Sequence, residues 1–326
     1  MIRQRMGFYL MVSIVVFLGA ACASKKTGPM EMGMQSFEAQ DYEGAKTHFE
    51  TALTTEPENP QAVYYLGRIA LEAGDIDQAV ERLEKAVTLD EAQSDYHFYL
   101  GVAYAQKIQK VSFFEKGQLA PKLKGEFEKA VETDPANVQA RMGLAQYYLN
   151  APPIAGGSKE KAMEQVEAIK KLDPKQGHLF TAQIHMAAKE HDKAEKEMKA
   201  ALALDPTDTD VHYQMGMLYQ TKKDYPAAFA ALEKAIEIDP MYMSAMYQMG
   251  RTAIFAEDNY DRGIECLKIY LNSKPQAGQP TWAHAHWRLG MVYEKMGNVE
   301  MAKKEYQAAL DLDPDLKDAK EALEKL

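Results

Sequence analysis

Cysteine is nearly absent. The 326 residues hold two, Cys22 and Cys266, and Cys22 lies beside an apolar N-terminal run. A framework of disulfides is excluded, so packing alone must hold the fold. Basic clusters are missing as well. The formal net charge is −10. A nucleic-acid backbone demands a basic stripe, and an anionic membrane surface demands a Lys/Arg run. Neither is found, and no nucleic-acid partner is expected.

Signatures of catalysis and of metal binding are equally scarce. Gly156-Gly157-Ser158 has no following Gly-Lys-Ser/Thr and no preceding strand, so it reads as a turn and not a phosphate cradle. His284 and His286 are two apart, whereas a helical metal pair needs i, i+4. No local Ser/His/Asp or Cys/His arrangement occurs. The nineteen methionines invite Cu(I) chemistry, but most fall on apolar stripes, where an adaptable side chain packs a core. Cys266, between Ile264 and Leu267, reads as a small buried hydrophobe. No catalytic residue, metal ligand or cofactor is assigned, and the chain does not read as an enzyme.

What the chain does have is a period. Asp41–Pro57, Asp75–Asp90, Asp224–Pro240 and Asn298–Pro314 repeat one pattern, and Gly33, Gly67 and Gly101 stand 34 residues apart. A period of this size marks stacked supersecondary units rather than a closed active-site fold. Within a unit, Val63, Leu66, Gly67 and Ala70 lie at i, i+3, i+4 and i+7, one face of a helix. His97, Leu100, Gly101 and Tyr104 repeat it, as do His212, Met215, Gly216 and Tyr219, and His286, Leu289, Gly290 and Tyr293. A second stripe runs Ala45, Phe49, Ala52; Ala79, Leu83, Ala86; Ala228, Leu232, Ala235; and Ala302, Tyr306, Ala309. Small members let two helices approach and large ones fill the gap. Asp-Pro pairs end the second helix of a unit, because proline lacks an N–H and restricts its predecessor.

This pattern resembles the tetratricopeptide repeat at positions 4, 7, 8, 11, 20, 24, 27 and 32 of its 34-residue unit. The resemblance implies an all-α, right-handed solenoid of about eight helix-turn-helix units, starting near residues 26, 60, 94, 136, 175, 209, 243 and 283. The array is assigned to residues 31–316, with helices beginning near Gly33 and Lys317–Leu326 as a capping helix. Three units depart from the period. About ten extra residues fall around Val111–Ala120, about seven around Asn150–Ser158, and about five in Lys274–Gln279. The first two occupy equivalent turns of adjacent units and should lie side by side on one rim.

The resemblance also implies which residues line an inner groove, namely positions 2, 5, 9 and 12 of each first helix. Those singled out are Tyr64, Phe98, Tyr213, Tyr247 and Trp287 at the fifth position, Arg68, Met217, Arg251 and Met291 at the ninth, and Tyr147 at the twelfth. Aromatic, Arg and Met residues are enriched at protein interfaces. A protein or peptide partner follows. The Lys and Asn with which chaperone-binding relatives hold a peptide carboxylate are missing at the fifth and ninth positions. The histidines at fourth positions, His97, His178, His212 and His286, are read as packing residues.

At the N-terminus, Arg3 and Arg5 precede the apolar Phe8–Leu18 and the small cluster Gly19–Ala23. This is the layout of a secretory signal peptide, assigned to residues 1–21. Cys22 resembles the acceptor cysteine of bacterial lipoproteins, with residues 22–30 as a tether. Cleavage after Ala23 and an uncleaved anchor are the alternatives. The resemblance implies a lipid on Cys22, export across the inner membrane of a bacterium and, with Ala23 rather than Asp after the cysteine, the outer membrane as destination. Some lipoproteins of this kind help assemble envelope complexes such as pilus secretins. The second functional reading is a periplasmic small-ligand carrier working with a transporter, which would show one closed pocket lined by the groove aromatics.

Overall fold

The computed structural model describes residues 28–276 and 278–326. Residues 1–21, assigned from sequence as a signal peptide, and Cys22 lie outside them. Among the described residues there are seventeen α-helices and no strand. They fall into two compact units, one ending at Glu91 and one running from Ala92 to Leu326.

The first unit holds α1 (Pro29–Glu38), α2 (Tyr42–Thr55), α3 (Pro60–Glu72) and α4 (Ile76–Leu89). The second holds α5 (Ser94–Lys110), α6 (Phe113–Thr133), α7 (Val138–Asn150), α8 (Lys159–Leu172), α9 (Pro174–Ala187) and α10 (His191–Leu204). It continues with α11 (Thr209–Lys222), α12 (Tyr225–Ile238), α13 (Met243–Ala256), α14 (Tyr260–Leu271), α15 (Trp282–Lys295), α16 (Val299–Leu312) and α17 (Lys317–Glu324). Each odd-numbered helix up to α15 packs on its successor, making eight helix pairs, and within each unit every pair packs on the next. The chain is an all-α helical-repeat solenoid built from consecutive pairs. Helix α17 rests on α16, with Ala319 buried and Leu323 against the last core cluster.

Local chemistry sets the boundaries. Asp41, Asn59, Asp75, Asn137, Asp173, Asp208, Asp224 and Asn298 each accept a backbone N–H three residues on, an N-cap that satisfies an otherwise orphan donor. Helices α6, α8, α10, α12 and α16 end at the Asp of an Asp-Pro pair. Pro29 opens α1 at its first turn, where its missing N–H costs nothing. The first helix therefore begins four residues before Gly33 and takes in the last two residues assigned to the tether.

Inside six of the eight pairs, a first-helix glycine seats a large second-helix side chain. A Cβ on Gly216 would stand 2.7 Å from Leu232, and one on Gly290 2.6 Å from Tyr306. Leu232 and Tyr306 are fully buried. Gly33 and Phe49, Gly67 and Leu83, Gly101 and Phe127, and Gly250 and Leu267 repeat the contact. Both predicted stripes are buried except at His212 and His286, which are half-buried. Cys266 is buried too, its thiol pushed up to about 12 by burial against the opposing pull of Arg262. That thiol is inert packing.

Three of the four fourth-position histidines carry a partner that the repeat pattern does not reveal. His97, His178 and His286 set Nδ1 at 2.6, 2.6 and 2.7 Å from Glu126, Glu197 and Glu305 of the paired helix. The separations are 29, 19 and 19 residues. The insertion of about ten residues in the third pair accounts for the longer one, so all three glutamates hold one repeat position. His212 faces Ala231 at that position and instead meets the Pro206 carbonyl, at 3.0 Å from Nε2.

Consecutive pairs are also tied by charge. Glu195 of α10 accepts from Lys222 at 2.6 Å and Tyr219 at 3.0 Å, both on α11, and from Lys199 at 2.7 Å. Lys199 and then Lys222 draw its carboxyl down to about 2, outweighing burial. A depressed folded value contributes stability that is present above about 4.5 and is lost as pH falls towards 2. Glu195→Gln should therefore lower the melting temperature at pH 7. The gap from wild type should close in scans taken towards pH 2. A gap independent of pH would show that the ion pairs contribute nothing.

The insertion at Val111–Ala120 corrects the sequence reading. It is not an enlarged turn. Helix α5 runs to Lys110, and α6 starts at Phe113 and extends 21 residues, with Pro121 inside it. Ser112 and Glu115 form a reciprocal capping box that nucleates the added turns. The insertion at Asn150–Ser158 does form a loop, around the 3-10 turn Pro153–Ala155.

Candidate partner-binding surface

Within the second unit, α11, α13 and α15 lie side by side, as do α5 and α7. The face made by these first helices is where the predicted groove residues should emerge. Six of them do. Phe98, Tyr213, Met217, Arg251, Trp287 and Met291 are all half-buried. In the first unit Arg68 is half-buried and its guanidinium lies 4.5 Å over the Phe37 ring and 5.6 Å over Tyr64, a cation–π stack.

Three predicted residues are core instead. Tyr64, Tyr147 and Tyr247 are each less than a tenth exposed. Tyr247 belongs to the core cluster that joins the last three pairs, with its ring 5.4 Å from that of Tyr270. Tyr147 donates its hydroxyl to the Ala155 carbonyl at 2.6 Å and so braces the inserted loop. Burial raises its pKa, against the pull of Lys124. A repeat position fixes the direction of a side chain, but the neighbouring pair decides how much of it water can reach.

Polar and cationic groups complete the face. Gln220 of α11 donates to Thr252 of α13 at 2.7 Å, and Thr252 donates to the Gln248 carbonyl at 2.7 Å. Arg251 reaches the Gln248 side chain at 3.4 Å and lies 5.3 Å from the Phe255 ring centre. Tyr213 packs edge-on against Tyr242, and burial raises its pKa, opposed by Gln248 and Arg251. On α15, Arg288 stacks 4.1 Å over Trp287 and contacts the Met291 sulfur at 3.4 Å. The Nε groups of Arg251 and Arg288 are buried without a partner. Sequence reasoning missed Arg288 and Gln248, because neither holds one of the groove positions; only the adjacency of Arg288 to Trp287 hinted at a stacked pair. The surface can hold a chain by aromatic, thioether and guanidinium contact. Among the described residues no cluster of His, Cys, Asp and Glu could hold a metal ion.

The class defined by these features is a helical-repeat scaffold. Residues 36–98, 209–241 and 283–316 match family models of the tetratricopeptide repeat, and the chain belongs to the tetratricopeptide-repeat family. No curated protein matches it significantly. Among solved structures it is similar to the Cut9–Hcn1 hetero-tetramer of APC/C, with 16% identity over 87% of this chain and a TM-score of 0.50. It spans about half of that chain, 52%. It is also similar to pilF of Pseudomonas aeruginosa, with 17% identity, a TM-score of 0.50, and coverage of 73% of this chain and 99% of that one. At these identities the likeness establishes the fold. Tetratricopeptide-repeat proteins are in general scaffolds for protein–protein interaction.

Proposed function

We propose that the chain is a lipid-anchored scaffold of the bacterial envelope that holds a protein or peptide partner on its first-helix face. The observation that carries the partner-binding part is the half-buried set Tyr213, Met217, Arg251, Trp287, Arg288 and Met291, spread over three consecutive pairs. Large amphipathic side chains with two stacked guanidiniums favour a partner over solvent. The anchoring part rests on the sequence, through the charged, apolar and small-residue succession that ends at Cys22. A role in assembling an envelope complex such as a pilus secretin is the finer form of this proposal, supported by the likeness of the fold to pilF.

One experiment addresses both parts. A photo-crosslinking amino acid is placed at Met217 or Met291 in cells fed an alkyne fatty acid. Discrete adducts are expected at these sites and not at Lys304, which is exposed on α16. The fatty-acid label is expected in membranes and should vanish in Cys22→Ser. Adduct patterns identical to those at Lys304 would sink the binding face, and unlabelled soluble protein would sink the anchor.

A further inference from the structure

The two insertions expected on one rim meet across a cleft of about 640 Å³. Its floor is Leu123, Phe127 and Tyr147, its back wall is Ala105 and Ile108 of α5, and the extension of α6 faces the loop that carries Ile154. Without the inserted residues the cleft has no lips. Ligand cavities typically enclose about 300–1,000 Å³, are mostly apolar, and hold a few placed polar groups. This one fits that description, and of the predicted groove aromatics only Tyr147 lines it, so it is not the closed pocket of groove aromatics that the carrier reading required.

Gly117 supplies a second observation. It lies within α6, where glycine weakens a helix, and a Cβ there would meet nothing within 4 Å. Helix packing does not need a glycine at this position. Gly117 lines the cleft, where it presents no side chain.

Charge supplies a third. Lys116 is the one ionic side chain in the lining and has no ion-pair partner among the described residues. Residues 105–124 hold five lysines and one acidic residue, Glu115, in a chain of net charge −10. Glu115 is committed to the capping box, Lys124 pairs with Glu128 at 3.0 Å, and Lys122 lies 5.6 Å from the Tyr104 ring centre. The amides of Gln109, Gln146 and Asn150 are the other polar side chains of the lining besides the Tyr147 hydroxyl, which the loop already occupies. A peptide backbone laid in the cleft would bring N–H and C=O groups along its whole length, and the apolar floor offers them nothing. A single aliphatic chain brings none.

We infer that the cleft binds one long-chain anionic amphiphile, an aliphatic carboxylate. Its hydrocarbon lies along Ile108, Leu123 and Phe127, and its carboxylate is held at Lys116. Phe113 and Ile154, 93% and 97% exposed, are the apolar lips that the bound chain would cover. This site is separate from the surface of Tyr213, Met217, Arg251, Trp287, Arg288 and Met291 on α11, α13 and α15, and either can stand without the other.

The test is titration of the full chain with the fluorescent long-chain carboxylate cis-parinaric acid, below its micelle concentration, and with the matching alcohol. Saturable binding is expected. Gly117→Leu adds an isobutyl group to the lining at a point where the new Cβ meets nothing within 4 Å, and it should weaken binding by about tenfold or more. Gly125→Leu, on the same helix, also places its Cβ in open space but lies outside the lining, and it should bind as wild type. Lys116→Gln should weaken the acid by about tenfold and leave the alcohol unchanged. Undiminished binding by Gly117→Leu overturns the site. Equal losses of acid and alcohol in Lys116→Gln overturn the head-group assignment. Association with anionic phosphatidylglycerol vesicles alone, without saturable uptake of the monomeric probe, would make the rim a membrane contact and overturn the proposal.

Discussion

Gly216→Leu should unfold the middle of the second unit. A Cβ at this position stands 2.7 Å from both Cγ and Cδ2 of Leu232, and Leu232 is fully buried, so it has nowhere to retreat. Extra methylenes in a packed core cost about 1–3 kcal/mol, and leucine adds four carbons at a contact already closed to one. The damage should spread unevenly. In stacked repeats each pair contacts mainly its neighbours, so stability is a sum of local and nearest-neighbour terms. Hydrogen exchange followed by mass spectrometry should show lost protection in α11 and α12, less in α9, α10, α13 and α14, and none in α1–α4. Gly125→Leu, facing open space, is the control. Uniform loss across all helices would mean that the chain unfolds as one cooperative body.

The contact behind that prediction was readable before any coordinates, since glycine recurs at the eighth position and a large residue at the twenty-fourth. Periodicity reports such short-range, pairwise packing well, because the same two helices meet in every unit. It reports poorly on whatever is decided by a second neighbour. Tyr247 and Tyr213 share a repeat position, yet Tyr247 is core and Tyr213 is half-buried, because Tyr270 covers one and the edge of Tyr242 only partly covers the other. The insertions show the same limit. Extra residues between two helices suggest a loop, and only the Ser112–Glu115 capping box, four residues within the insertion, indicated that a helix would take them up. The cleft depends on two insertions about 40 residues apart, and no periodic signal links them.

That difference in burial separates a test of stability from a test of binding. Tyr247→Ala should act as a core deletion. Removing a buried aromatic ring costs about 3–5 kcal/mol, so the melting temperature should fall sharply, and partner capture should fail only as folding fails. Trp287→Ala should do the reverse. Trp287 is half-buried, its ring is stacked by the Arg288 guanidinium at 4.1 Å, and the core stripe of Leu289, Gly290 and Tyr293 beneath it is unchanged. Stacked Trp–Arg anchors at interfaces are worth about 2 kcal/mol or more, which is more than tenfold in affinity. Crosslinking from Met217 should therefore drop by about tenfold in Trp287→Ala at a melting temperature well above that of Tyr247→Ala. Arg251→Ala should reduce it too, because its guanidinium and Phe255 form the neighbouring stack on α13. Lys304→Ala should change neither measurement. Undiminished crosslinking in Trp287→Ala, combined with its loss in Gly117→Leu, would move the partner from the first-helix face to the inserted rim.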